Sequence, residues 1–156
     1  ISTGVSAIQL FDSWAGALSP SAYERFVLPY TKEIFSAIQN EEVPTIHFGV
    51  GTGEILHLMA SAGSSVMGVD WRTPLDVARD RLGSEVVLQG NLDPAICFAS
   101  ENAISTEVQN ILEKNAGHPG HIFNLGHGVL PETNPKVLER IVEQVHSYPL
   151  NSAEMK

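Results

Sequence analysis

Short apolar runs alternate with stretches of helical period along most of the chain. Val5 to Phe11 reads as a strand in which Val5, Ile8, Leu10 and Phe11 are apolar and Gln9 interrupts them. Ser19-Pro20 opens a helix, Ser19 as N-cap and Pro20 in the first turn. Its apolar positions Tyr23, Phe26, Val27, Tyr30, Ile34, Phe35 and Ile38 keep close to helical spacing, and Pro29 predicts a kink or break inside it. Thr45 to Phe48 is the second predicted strand, Gly49 to Gly53 a turn, and Glu54 to Ala62 a helix ended by Gly63. Ser65 to Val69 is the third strand, and Thr73-Pro74 starts a helix by the same cap-and-proline device, with Gly83 ending it. Val86 to Gln89 is the fourth strand, and a helix capped by Ser105 is expected to run to Asn115. His121 to Asn124 is the fifth strand, and Asn134-Pro135 opens the last helix, running to about His146. The tail from Pro149 to Lys156 is polar and expected to fray. Five β/α units emerge. Their strands are short and apolar on both faces, as in a parallel sheet covered by helices.

Composition narrows the class. The 156 residues are 43% hydrophobic and 17% charged, enough apolar material for one ordinary core and unlike a disordered chain. Eighteen acidic residues against 9 basic give a net charge of −9, without the basic footprint of a nucleic-acid binder. Cys97 is the single cysteine, so no intramolecular disulfide framework is possible, and a reducing, cytoplasmic setting is expected. No apolar run approaches the roughly 18 residues that span a bilayer. Ile1 rather than Met leads straight into a strand, so a chain that starts partway through a longer polypeptide is expected.

Polar and glycine-rich residues gather where the predicted strands end: Asp12-Ser13-Trp14, Gly49 to Gly53, Asp70-Trp71-Arg72, Gly90 to Asp93, and Asn124 to Gly128. In a parallel α/β fold, barrel or open sheet, that edge carries the active site. Each cluster also has a plainer role. Asp12-Ser13 can cap the next turn, and Asp70 and Asp93 can bind loop amides. Arg72, the only Lys or Arg near these strand ends, can form a salt bridge at a helix start. His47 and His57 read as packing or surface residues. His118 and His121 flank Pro119-Gly120 without a third metal ligand in view. His127 differs, lying between two glycines just after a strand, where the backbone can turn sharply and present an imidazole to a cleft.

Ile46-His47-Phe48-Gly49-Val50-Gly51-Thr52-Gly53-Glu54, followed by Val66 to Asp70, resembles the nucleotide-binding start of an S-adenosylmethionine-dependent methyltransferase. Such loops usually carry an acid where this chain has His47, and they usually open the domain, whereas a whole β/α unit precedes this one.

Several longer segments point elsewhere. Leu10-Phe11-Asp12-Ser13-Trp14-Ala15-Gly16 with Leu28-Pro29-Tyr30, then Gly68-Val69-Asp70-Trp71, then Leu88 to Pro94, and finally Phe123-Asn124-Leu125-Gly126-His127-Gly128-Val129-Leu130-Pro131 leading into Asn134-Pro135, resemble the uroporphyrinogen decarboxylase family in order and spacing over nearly the whole chain. The resemblance implies a (β/α)8 TIM barrel, with residues 1–156 as about its last five β/α units in one domain, since a closed barrel takes roughly 250 residues. It implies cofactor-free removal of the four acetate carboxyls of uroporphyrinogen to give coproporphyrinogen, on the route to haem and chlorophyll. No metal is expected. By the same resemblance Ser13 contacts substrate, His127 binds and orients a side-chain carboxylate, more strongly when protonated, Phe11 is an apolar wall, and Gly126 and Gly128 leave room beside the macrocycle. The family's arginines, its ring-nitrogen-binding aspartate and a tyrosine lie in an N-terminal part without counterpart here, so the isolated chain is expected to be inactive. A homodimer is implied for the whole enzyme. A non-catalytic or methyl-transferring relative of the same barrel is the remaining alternative; the methyl-transferring relatives often use a Cys/His zinc site, and Cys97 lacks zinc-type partner spacing.

Overall fold

The computed structural model describes residues 1–38, 43–115, 118 and 120–149. Five strands, β1 (Ile8–Asp12), β2 (Thr45–Gly49), β3 (Val66–Gly68), β4 (Val87–Leu92) and β5 (His121–Leu125), form one sheet in the order β1-β2-β3-β4-β5. Every pairing is parallel. Helices α1 (Pro20–Phe26), α2 (Leu28–Ile38), α3 (Leu56–Ala60), α4 (Leu75–Leu82), α5 (Glu101–Lys114) and α6 (Pro135–Ser147) fill the connections. This is the expected partial (β/α)8 architecture. The sequential order has no reversal, whereas a dinucleotide-type doubly wound sheet places its ligand where strand order reverses. That removes the topology on which the S-adenosylmethionine alternative depends.

Register assigns the two faces, because paired residues of neighbouring strands point to the same side. Leu10, His47, Met67 and Leu88 lie in one row. Met67 and Leu88 belong to the main apolar core with Met59, Val108 and Ile111 of the helices, and Leu10 packs against it. This is the helix-covered face. The opposite row holds Gln9, Ile46, Val66, Val87 and, one step on, Phe11, Phe48, Gly68, Gln89 and Ile122. Across that face the Gln89 amide donates to the Gln9 side-chain oxygen at 3.2 Å, joining β4 to β1. In a flat sheet strands three apart are separated by about 14 Å. The bond therefore requires a strongly curled sheet with Gln9 and Gln89 on its concave side, the curvature of a barrel wall.

The central strands β2 and β3 are buried throughout, while β5 alternates toward solvent and β1 is half-buried except at exposed Phe11. Among the described residues β1 and β5 each pair on one side only. No helix is long and apolar enough to cross a membrane.

Most predicted elements are present, with shifted ends. Strand β1 begins at Ile8, where pairing with Thr45 begins, so Val5 falls outside it and is exposed. Ser19 caps α1 by accepting from the Ala22 amide, and the long helix breaks at Val27, with Pro29 in the first turn of α2. The predicted Glu54–Ala62 helix is a 3-10 turn (Gly53–Ile55) followed by the short α3. Thr73 does not cap α4; Pro74 holds the N-cap position without a side-chain bond. Helix α5 starts five residues early, at Glu101, because the Ser100 hydroxyl accepts from the Ala103 amide and Ser105 sits inside the helix. Asn134 caps α6 as expected. The tail lies outside the described residues from position 150 onward.

Candidate active site

The C-terminal strand ends form one rim, held together from residue to residue. Gly16, in the turn after β1, lies so close to the next loop that a Cβ there would overlap the Val50 carbonyl oxygen. The Gly51 amide, after β2, donates to Asp70 Oδ2 at 2.5 Å, and the Arg72 amide donates to Asp70 Oδ1 at 3.1 Å. Arg72 Nη1 reaches the same Oδ2 at 3.1 Å. Asn91 of β4 uses its side-chain nitrogen to donate to the backbone oxygens of Asp70 and Thr73 at 2.8 and 2.6 Å. The Gly126 amide, after β5, donates to Leu92 O at 2.7 Å. All five strand ends are thus linked, and Asp70 is the hub.

Asp70 is 2% exposed, and two backbone amides and one guanidinium hold its carboxylate. That is the amide-binding role read from the sequence, and it leaves the carboxylate no free edge for a ribose. Asp93 likewise accepts from the Ala95 amide, opening a 3-10 turn. Arg72 makes its helix-start ion pair, but its side chain remains 53% exposed. Its guanidinium carbon lies 4.0 Å from the Trp71 ring centroid.

Ser13 is exposed in the turn after β1, and among the described residues it has no hydrogen-bond partner. The turn that follows has Trp14 at its N-cap without a side-chain bond, so Ser13 is not consumed as a cap. Phe11 belongs to the concave face, 65% exposed, with its ring edge-on to Phe48 at 5.9 Å between centroids. Gly68 makes room for that second ring, since a Cβ there would press on Phe48. His127 is exposed beyond β5, and its imidazole stands steeply against the Trp71 ring, with centroids 6.0 Å apart. Ser13 and His127 therefore share the C-terminal edge but follow the two outermost strands, and no hydrogen bond joins them. Gly128 has open space where a side chain would stand, whereas the room at Gly126 is taken by the Trp71 backbone. The reading of Gly126 as space for a ligand is corrected accordingly.

The other polar candidates are structural. His47 is fully buried, edge-on to Phe35, with Nδ1 3.3 Å from the Met59 carbonyl. Burial pushes its pKa below the ordinary histidine value. His57 is on the surface. His121 is held by Nε2 against the Gly90 carbonyl at 2.8 Å, and burial lowers its pKa too. Cys97 is buried, and burial pushes its thiol up, away from the thiolate a nucleophile needs. Among the described residues no three metal-ligating side chains cluster.

Sequence reading missed three contributors. Trp71 carries both Arg72 and His127, Phe48 backs Phe11, and the Gln9–Gln89 pair spans the concave face. Gln9 and Gln89, polar residues inside apolar strands, were the available signal.

Comparison with known proteins agrees with this geometry. The family model for uroporphyrinogen decarboxylase (URO-D) matches residues 1–148. Proteins named uroporphyrinogen decarboxylase from Salinispora tropica and Streptomyces coelicolor are 58% and 56% identical to this chain; the matches cover 94% of this chain, but 39% and 41% of theirs. The namesake from Corynebacterium diphtheriae is 56% identical over 154 residues. The chain thus spans about two fifths of the length of the curated relatives it matches. A solved methyltransferase from Methanosarcina mazei has a TM-score of 0.77 over 92% of this chain and 42% of its own, at 20% identity, which shows a common fold alone.

Proposed function

Because the chain belongs to the uroporphyrinogen decarboxylase family, we propose that residues 1–156 are the C-terminal five β/α units of one barrel domain that decarboxylates uroporphyrinogen to coproporphyrinogen. The carrying observation is that the family match runs through residues 1–148 and that Phe11, Ser13 and His127 all stand on the concave face or C-terminal edge of one curled parallel sheet. The curl that lets Gln9 touch Gln89 supports a shared pocket, because it draws the outer strands toward each other.

The chemistry fits without a cofactor. Protonating a pyrrole carbon makes the ring an electron sink, a role often left to a cofactor. The electron pair of the breaking carbon–carboxyl bond then flows into the ring as carbon dioxide leaves. The exposed methylene takes a proton to become a methyl group, and the ring releases the proton it gained. In this scheme His127 holds one carboxylate, Ser13 donates a hydrogen bond to another, and Phe11 with Phe48 forms the apolar floor under the macrocycle. A substrate with eight carboxylates needs more cationic charge than this rim offers. The general acid and most anion-binding groups are therefore assigned to the part of the family barrel that this chain does not span, and the chain alone is expected not to turn over substrate. A homodimeric whole enzyme and a cytoplasmic location belong to the same reading. The exposed apolar stripe Phe26, Tyr30 and Ile34, at helical spacing on α1 and α2, supports a protein contact.

The test is a chimera in which this chain replaces its counterpart in the Salinispora tropica relative. It should decarboxylate uroporphyrinogen. Ser13→Ala and His127→Asn should each raise KM about tenfold or more, the worth of one charge-assisted hydrogen bond, with the folded signal intact. Wild-type kinetics in both variants would refute the site assignment.

A further inference from the structure

On the decarboxylase reading above, we infer that Arg72 is a carboxylate-binding residue of the rim, sharing the Trp71 indole with His127. The strand-end segments 12–18, 49–55, 69–74, 92–100 and 125–134 contain one Lys or Arg between them, and it is Arg72. It follows β3, the middle strand of the sheet, so it stands at the centre of the rim. The other arginines nearby are spent. Arg79 is buried and donates to the carbonyls of Ser84 and Val86 and to Asn115 Oδ1. Arg81 reaches the Gly53 carbonyl from α4 and pairs with Glu54.

The Arg72 head is both anchored and available. A guanidinium carries five N–H donors in a planar fork; here one nitrogen, Nη1, bonds to Asp70 Oδ2, and the side chain stays 53% exposed. Asp70 shares its carboxylate with two backbone amides and engages only Nη1 of the fork, which leaves the other guanidinium donors for a second anion. The indole holds the fork from below at 4.0 Å, which reduces the freedom lost when an anion binds. On the same indole His127 packs edge-on at 6.0 Å. Two groups able to bind carboxylates, a guanidinium and an imidazole, therefore both rest on the Trp71 indole. That arrangement suits a ligand bearing several acids around a planar or bowl-shaped ring.

The experiment uses the chimera described above with Arg72→Gln and Arg72→Lys, and the 156-residue chain carrying the same changes. In the chimera, Arg72→Gln should raise KM for uroporphyrinogen about tenfold with kcat within about twofold, and Arg72→Lys should recover part of the loss. In the chain, uroporphyrin, the oxidised eight-carboxylate ring, should quench tryptophan fluorescence and bind more tightly than four-carboxylate coproporphyrin. Arg72→Gln should erase most of that preference. A residue that merely stiffened the rim would lower thermal stability and kcat, and lysine would not rescue it. An unchanged KM in an active Arg72→Gln chimera overturns the inference, as does equal uroporphyrin binding, or none, by chain and variant. A folded wild-type chimera without decarboxylase activity instead overturns the functional reading, while Arg72-dependent uroporphyrin binding by the chain would still stand.

Discussion

Single buried groups decide how this chain responds to acid. His47 has no exposure, and its Nε2 has no hydrogen-bond partner among the described residues. Desolvation is the largest influence on it and disfavours the charged imidazole; the Met59 carbonyl and the charge of Asp12 oppose this only in part. His121 is shifted in the same direction by its burial. In the unfolded chain both histidines titrate near pH 6.5, above their folded values. The unfolded state therefore binds more protons as pH falls below that point, and stability is full above it and lost as pH drops toward the folded pKa values. Thermal unfolding followed from about pH 7.5 to about pH 5.5 should show a falling midpoint. His47→Phe keeps an aromatic edge for Phe35 and removes one titrating group, so its midpoint should fall less steeply. Parallel slopes for the two proteins would place the acid sensitivity elsewhere. Nothing in the local sequence distinguishes His47 from His57, because what separates them is the α2 and α3 cover that only the fold supplies.

Elements were legible where local chemistry settles them, and blurred where a distant contact does. Strands β2 and β3 read correctly because a strand buried on both faces is a plain apolar run. Strand β4 runs through Gly90-Asn91-Leu92, residues that read as a loop; there the Asn91 side-chain amide is satisfied by two carbonyls of the β3–α4 loop. The rim's composition was visible in the sequence. The pairing of Trp71 with His127 was not, since it joins residues 56 apart through strand order alone. The start of α5 differs from the expectation: Ser100 and Ser105 both have capping chemistry, and Ser105 is the expected cap. Ser100 supplies the cap, and Ser105 instead offers its carbonyl to Gln144 of α6 at 2.8 Å. Ser100→Ala should therefore cost about 1 kcal/mol in chemical denaturation, and Ser105→Ala no more than about 0.5 kcal/mol. Equal losses at the two serines would contradict the observed helix start.

At the scale of the molecule, the curled sheet presents an unfilled interior. Phe11 is 65% exposed and Ile122 43% exposed on the concave face, beside buried Ile46, Phe48 and Val66. In a complete (β/α)8 barrel such positions pack in layers contributed by alternate strands. Here the concave face is bridged, from Gln89 of β4 to Gln9 of β1, by one side-chain hydrogen bond rather than by an opposing wall. The outward backbone groups of β1 and β5 find no strand among the described residues, and an open strand edge beside apolar surface is a template for pairing. The 156-residue chain in solution should therefore associate with itself as concentration rises. Sedimentation velocity should show larger species at roughly tens of micromolar, where contacts with micromolar dissociation constants are populated, and dispersal on dilution. Ile122→Lys puts a charge on the exposed concave side of β5 without touching the helix-covered core, and it should shift the distribution toward monomer while leaving the helical signal unchanged. The chimera, whose remaining β/α units would cover both edges and fill the interior, should lack this association through the same surface. If the isolated chain stays monomeric across the whole concentration range, the edges are closed in some other way, and the layer-by-layer completion proposed for the concave face loses its physical basis.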